Sequence, residues 1–184
     1  MPHARLRFRL LGLLPLFFFG AHALYYWRRG EPDHILWLCN VGNLLLAAGL
    51  LLERPVLTRV AAVWLVPGLA VWYWYVVRVY GFVPSSTLAH LGGLGVGLYA
   101  LSRVRVPRRT WLYALLWYLI VQQVCRFVTR PALNVNVAYS VYEGWAATFG
   151  AYWQFWLALT ALVAAFLWLL VRLLAALWPP PTFE

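Results

Sequence analysis

"LAHLGGLGVGLYAL", residues 88–101, sets one histidine among four glycines in a stretch with no other strongly polar group. Its spacing is helical: Ser86, His90, Gly93 and Gly97 follow i, i+4, i+7 and i+11, so they share one face. Gly93 and Gly97 form a G-x-x-x-G pair, which Ala89 extends, and small residues of this kind let a neighbouring helix backbone approach closely inside a membrane. The reading that decides the fold is therefore a glycine-faced membrane helix carrying His90 on its packed side.

The rest of the chain agrees. Of its 184 residues 64% are apolar and only 11% charged, whereas roughly half are apolar in soluble domains. The composition is that of a multi-pass membrane protein, and no polar linker divides it, so residues 1–184 read as a single integral membrane domain. Pro32, Pro55, Pro84, Pro107 and Pro131 each stand beside charged, glycine or serine residues, and the gaps between them hold apolar runs able to span about 30 Å. Six helices are predicted, near 10–27, 34–52, 59–79, 86–102, 110–128 and 150–172. Only helices and closed barrels satisfy the backbone in lipid, and these runs lack the alternation of barrel strands. The fold class is all-α, a transmembrane helical bundle. Pro15 and Pro67 are expected to kink their helices, and Pro179–Pro181 to end the last one.

Charge gives an orientation. The net charge of +10 comes from arginine without lysine. The arginines punctuate apolar runs instead of forming a patch, which favours topology and anionic lipid over nucleic acid. Arg5, Arg7, Arg9, Arg54, Arg59, Arg103, Arg105, Arg108, Arg109 and Arg172 fall on one side, and Arg28, Arg29, Arg78, Arg126 and Arg130 on the other. Ten against five puts both termini in the cytoplasm. Missing lysine and scarce isoleucine suggest a GC-rich genome, hence the bacterial cytoplasmic (inner) membrane. Arg5, Arg7 and Arg9, an apolar run and "AHA" at 21–23 imitate a signal peptide; the first helix is read as retained.

Polar residues follow a pattern of depth. His22, Asp33, His34, Cys39, Asn40, Asn43, Arg78, Ser86, His90, Gln122, Gln123, Cys125 and Arg126 all map to the outer halves of the first five helices. Such groups usually face the bundle interior or a water-filled cavity. A channel or carrier needs polar lining on both sides of the midplane, so the expectation is a cavity open to the non-cytoplasmic face and closed below. Asp33, Trp37 and Asn40 share one helix face and Gln122 and Arg126 another. In the outer loop 129–149, Asn134 and Asn136 alternate with aliphatic residues, as in a short extended lid with both amides on one side.

Two chemistries suit this cavity. His34, His90 and His22 offer nitrogen ligands for zinc, whose bound water could hydrolyse a lipid ester or amide. Without metal, His90, His34 and Asp33 are the candidate acid/base groups. Arg78, Arg126 and Arg130, with Asn40, Gln122, Asn134 and Asn136, are the candidate substrate-binding residues, the arginines holding an anion. Cys39 and Cys125, at similar depth, are a candidate disulfide.

The pattern Ala89, His90, Gly93, Gly97 also resembles A-H-x-x-G-x-x-x-G in the last catalytic helix of rhomboid intramembrane proteases. That resemblance implies a histidine base, but the chain has no G-x-S-x nucleophile, and His34 and Asn40 stand six apart where that family has four. The likeness is one of helix packing. The functional expectation is a membrane-embedded enzyme acting on a lipid or amphipathic substrate; the alternative is a non-catalytic lipid-binding or assembly protein with a partner helix or a second copy of itself.

Overall fold

The computed structural model describes residues 2–178, with side chains for 6–78 and 81–178. The proline stop at 179–181 lies outside the described residues. Among those described, every regular element is helical and none is a strand, so the protein is an all-α bundle. Four helical stretches are long and apolar enough to cross a membrane: Leu6–Arg28, Pro55–Arg78, Thr110–Val128 and Tyr152–Leu177.

The first stretch is two helices, α1 (Pro2–Leu10) and α2 (Leu13–Arg28). Pro15 lacks the N–H that would reach the Leu11 carbonyl, and Leu14 takes that carbonyl at 3.1 Å in a tighter turn. The expected kink is thus a break just ahead of the proline, which leaves Pro15 in a first turn where its missing donor costs nothing. Gly12 lies in the break, flush against the next helix: a Cβ there would stand 2.8 Å from Leu51 Cγ.

The second expected helix starts later. Pro32–Leu36 is a 3-10 turn, Trp37 is extended (φ −53°, ψ 135°), and α3 runs only from Leu38 to Leu51. Its 14 residues reach about 21 Å at 1.5 Å per residue. At its end α3 turns sharply into α4 (Pro55–Tyr75), and Gly49 permits the crossing, since a Cβ there would sit 2.5 Å from the Thr58 backbone nitrogen.

Helix α4 is the centre of the bundle and carries Pro67 within it. It packs against α3, α6 (Gly93–Leu101) and α7 (Thr110–Val128), with small residues at the tightest approaches. Gly97 lies against Ala62 in this way, its would-be Cβ 3.3 Å from the alanine's. α4 continues as a π turn, Val76–Tyr80; after a bend at Gly81, a helical run from Pro84 leads through α5 (Pro84–Thr87) and a π turn, Leu88–Gly92, into α6. α8 (Tyr152–Leu177) packs mainly on α7.

The main core joins α3, α4, α7 and α8 through Leu46, Leu50, Ala61, Ala62, Val63, Ala114, Leu167 and Val171. Trp64 crosses it, donating from Nε1 to the Ala114 carbonyl at 2.9 Å. A smaller cluster, Val41, Val121, Cys125, Val135 and Ala138, lies at the arginine-poor end and includes the loop after α7. That loop is not extended. It makes two 3-10 turns, Pro131–Leu133 and Val135–Val137, with Asn134, Asn136 and Val137 at φ 43°, 52° and 56°. Left-handed residues break a strand's alternation, and asparagine tolerates that conformation better than most side chains.

Candidate functional site

The π turn at Leu88–Gly92 shapes the surroundings of His90. A π turn shifts hydrogen bonding by one residue and leaves a backbone carbonyl for other partners. Asn43, on α3, donates from Nδ2 to the Ala89 carbonyl at 2.9 Å and to the Cys39 carbonyl at 3.1 Å. Gly93 makes room for this amide, because a Cβ there would stand 2.2 Å from Asn43 Oδ1. The glycine face thus works as a close helix contact, with an asparagine bridge as part of it.

His90 is 6% exposed. Its Nδ1–H donates to the Ser86 carbonyl at 2.8 Å, which fixes that nitrogen as protonated in the neutral ring. The ring stacks on Trp72, centroids 5.8 Å apart, and the missing side chain of Gly68 leaves it space on α4. Trp72 and Gly68 are one turn apart on α4, a signal the sequence reading passed over.

A second polar centre lies between the loop and the 3-10 turn ahead of α3. Asn136 donates from Nδ2 to the Leu36 carbonyl at 2.8 Å and accepts from the Leu38 N–H at 3.0 Å. Its amide closes the break at Trp37 and occupies a donor that the start of α3 would otherwise leave open. Gln122 donates to Tyr118 Oη and to the carbonyls of Asn136 and Val137, and accepts from Trp156 Nε1 at 2.6 Å. The Tyr139 hydroxyl meets the carbonyls of Cys125, Arg126 and Thr129, the last at very short range, at the end of α7. Asn134 serves its own loop, accepting from the N–H groups of Tyr139 and Ser140. The two asparagines therefore face different partners, not one lid surface.

The groups nominated for chemistry do not converge. Asp33 is ion-paired with Arg130 at 2.5 Å, not with His90. His34 sits between Tyr26 and Trp37; burial lowers its pKa, opposed by the Glu31 and Asp33 carboxylates. Arg78 lies over Trp74 and Arg126 over Tyr152, in cation–π geometry at 5.1 and 5.5 Å, so the arginines do not form one anion clamp. Asn40 donates to the His34 carbonyl at 3.0 Å. Cys39 and Cys125 are both free thiols, Cys125 accepting from Asn136 Nδ2 at 3.2 Å, so the disulfide is not formed.

The three histidines expected to hold zinc take separate partners. His22 pairs through Nδ1 with Ser85 Oγ at 3.1 Å, His90 bonds Ser86, and His34 meets Tyr26 and Trp37 edge-on. Among the described residues no three His, Cys, Asp or Glu side chains are grouped as a metal would require. His22, Asn40, Asn43, His90 and Gln122 are all buried, with exposures of 0 to 6%. These five side chains are packed into the bundle, whereas Asp33, His34, Cys39 and Ser86 are half-buried and Arg78, Gln123 and Arg126 exposed. Compared with protein-family models, curated proteins and solved structures, the chain matches none.

Proposed function

We propose that this chain is a multi-pass protein of the bacterial cytoplasmic membrane, both termini cytoplasmic, that works without catalysis in lipid binding or membrane-complex assembly. Membrane residence is supported by the four long apolar helices, and the orientation by the arginine imbalance. The observation that carries the non-catalytic reading is the commitment of the polar layer: Asn43, Asn136, Gln122 and His90 each bind a backbone carbonyl, and Asp33 is held by Arg130. Asn43, Asn136, Gln122 and the Asp33–Arg130 pair join separate elements, and His90 is bonded within its own helical run, which leaves the lipid-facing surface for lipids, a partner helix or a second copy.

One observation favours the other reading, an enzyme acting on a lipid. Ser85 Oγ lies 3.1 Å from His22 Nδ1, a hydroxyl and a base within hydrogen-bond reach. Purified protein incubated with extracted bacterial lipids and followed by mass spectrometry separates the two. The expected result is an unchanged lipid profile, identical to that of the Ser85→Ala and His22→Ala variants. A product formed by the wild type and lost in both variants overturns the non-catalytic proposal.

A further inference from the structure

At the opposite end of the bundle, a groove of about 530 Å³ opens between the segment before α7 and the end of α8. Its lining includes Arg105, Arg108 and Arg172, with Val106, Ala175 and Trp178 as apolar surface. We propose that this groove binds the phosphate group of an anionic ligand, with the headgroup of an anionic phospholipid as the source the site best fits.

The charge arrangement calls for an anion. Three guanidinium-bearing side chains line one groove, and among the described residues no carboxylate does. Among the described residues at this end, the one acidic side chain is Glu53, which is taken by Arg9 at 3.6 Å. Arg59, on α4, lies within electrostatic reach of Arg105, and its Nε is enclosed with no hydrogen-bond partner. Like charges held together without a counter-ion repel, and a phosphate relieves this while accepting several N–H bonds from the guanidinium forks.

The groove also has the form of a lipid site. Its volume falls in the range of small-molecule pockets. Arg172 is held over Trp168, its guanidinium carbon 4.3 Å from the ring centroid, which orients the cation while its edge N–H groups keep their donors. Trp178 and the α8 alanines give the glycerol and first methylenes of a lipid an apolar surface beside the charged head, as tryptophan does at membrane interfaces. The proposal rests on membrane residence and not on the absence of catalysis. It therefore fails separately from the reading based on the polar layer.

The test compares wild type, Arg105→Gln/Arg108→Gln and Arg105→Gln/Arg108→Gln/Arg172→Gln, with Arg28→Gln/Arg29→Gln as the control at the other end. Each is placed in phosphatidylcholine nanodiscs doped with phosphatidylglycerol, and bound phosphatidylglycerol is counted by native mass spectrometry. A parallel arm adds inorganic phosphate to protein in pure phosphatidylcholine and follows it by phosphorus NMR. At about fivefold per surface arginine, the triple variant should bind phosphatidylglycerol about a hundredfold more weakly while the control is unchanged. The double variant leaves the Arg172–Trp168 stack intact and should lose an intermediate amount. Phosphate binding that depends on the same arginines, without selective lipid retention, keeps the site and assigns it a soluble ligand. Binding in both arms that is indifferent to all three arginines overturns the proposal.

Discussion

The two ends of the bundle are held by different means. At the arginine-poor end, helices are short, interrupted or turned, and side-chain amides hold them together: Asn43 at the π turn, Asn136 at the break before α3, Gln122 under the loop. At the arginine-rich end, helices meet directly, even at the break between α1 and α2: Gly12 lies against Leu51, Gly49 against Thr58 and Gly97 against Ala62, beside the main apolar core. The difference follows from backbone accounting. A regular helix satisfies its own interior N–H and C=O groups and needs only close packing, whereas each interruption frees groups that lipid cannot satisfy. The amides at the arginine-poor end meet backbone groups of its turns.

The largest effect should come from breaking the direct contact. A Gly49→Ala methyl meets the Thr58 backbone, which cannot swing away as a side chain can; a loss of about 3 kcal/mol is expected from chemical unfolding in detergent, at the upper end of overpacking costs. An unfolding midpoint like the wild type's would show that the crossing can open and that close packing does not define this end. Asn136→Ala comes next. It leaves the Leu36 carbonyl and Leu38 N–H without their partner, for about 2 kcal/mol, and amide hydrogen exchange should rise at Leu38 while Ala114 stays protected. Exchange unchanged at Leu38 would remove the amide from its role as a clamp.

The smallest effect sharpens the comparison through pH. Burial lowers His34 below its ordinary value near 6.5, with Glu31 and Asp33 acting against it and Arg29 and Arg130 with it. The unfolded chain then binds more protons than the folded one between the lowered pKa and 6.5. This contribution to stability is complete above that range and is lost as pH falls through it. The melting temperature of the wild type should fall in mild acid more than that of His34→Gln, and parallel profiles would count against a half-buried neutral ring.

Much of this architecture could be read from residue types. The all-α class follows from apolar runs ended by proline and charge, and the burial of Asn40, Asn43, His90 and Gln122 from the cost of polar groups in lipid. What these residues bond to could not be read. The Ala89 carbonyl is available to Asn43 only because of a π turn, and no residue pattern marks that turn. Asp33 and Arg130 meet across 97 positions, a pairing set by tertiary approach and not by spacing. The loop did carry a signal that was misread. The alternation in Asn134–Val135–Asn136 fits a strand, but paired asparagines also fit left-handed turns, and that second property won. At the other end the arginines suggest topology and anionic lipid, but only the fold brings Arg105, Arg108 and Arg172 to one groove.

Asn136 also imposes an order on biogenesis. The N–H of Leu38 and the oxygen that receives it are 98 residues apart in the chain. A ribosome making this protein from its N-terminus has therefore already synthesised α3, α4, α6 and α7 before it adds the residue that finishes the start of α3. Until then the first helices can associate through their glycines, their apolar faces and the Asn43 bridge, while the start of α3 waits for the loop. The amide that closes α3 comes after every other α-helix but α8.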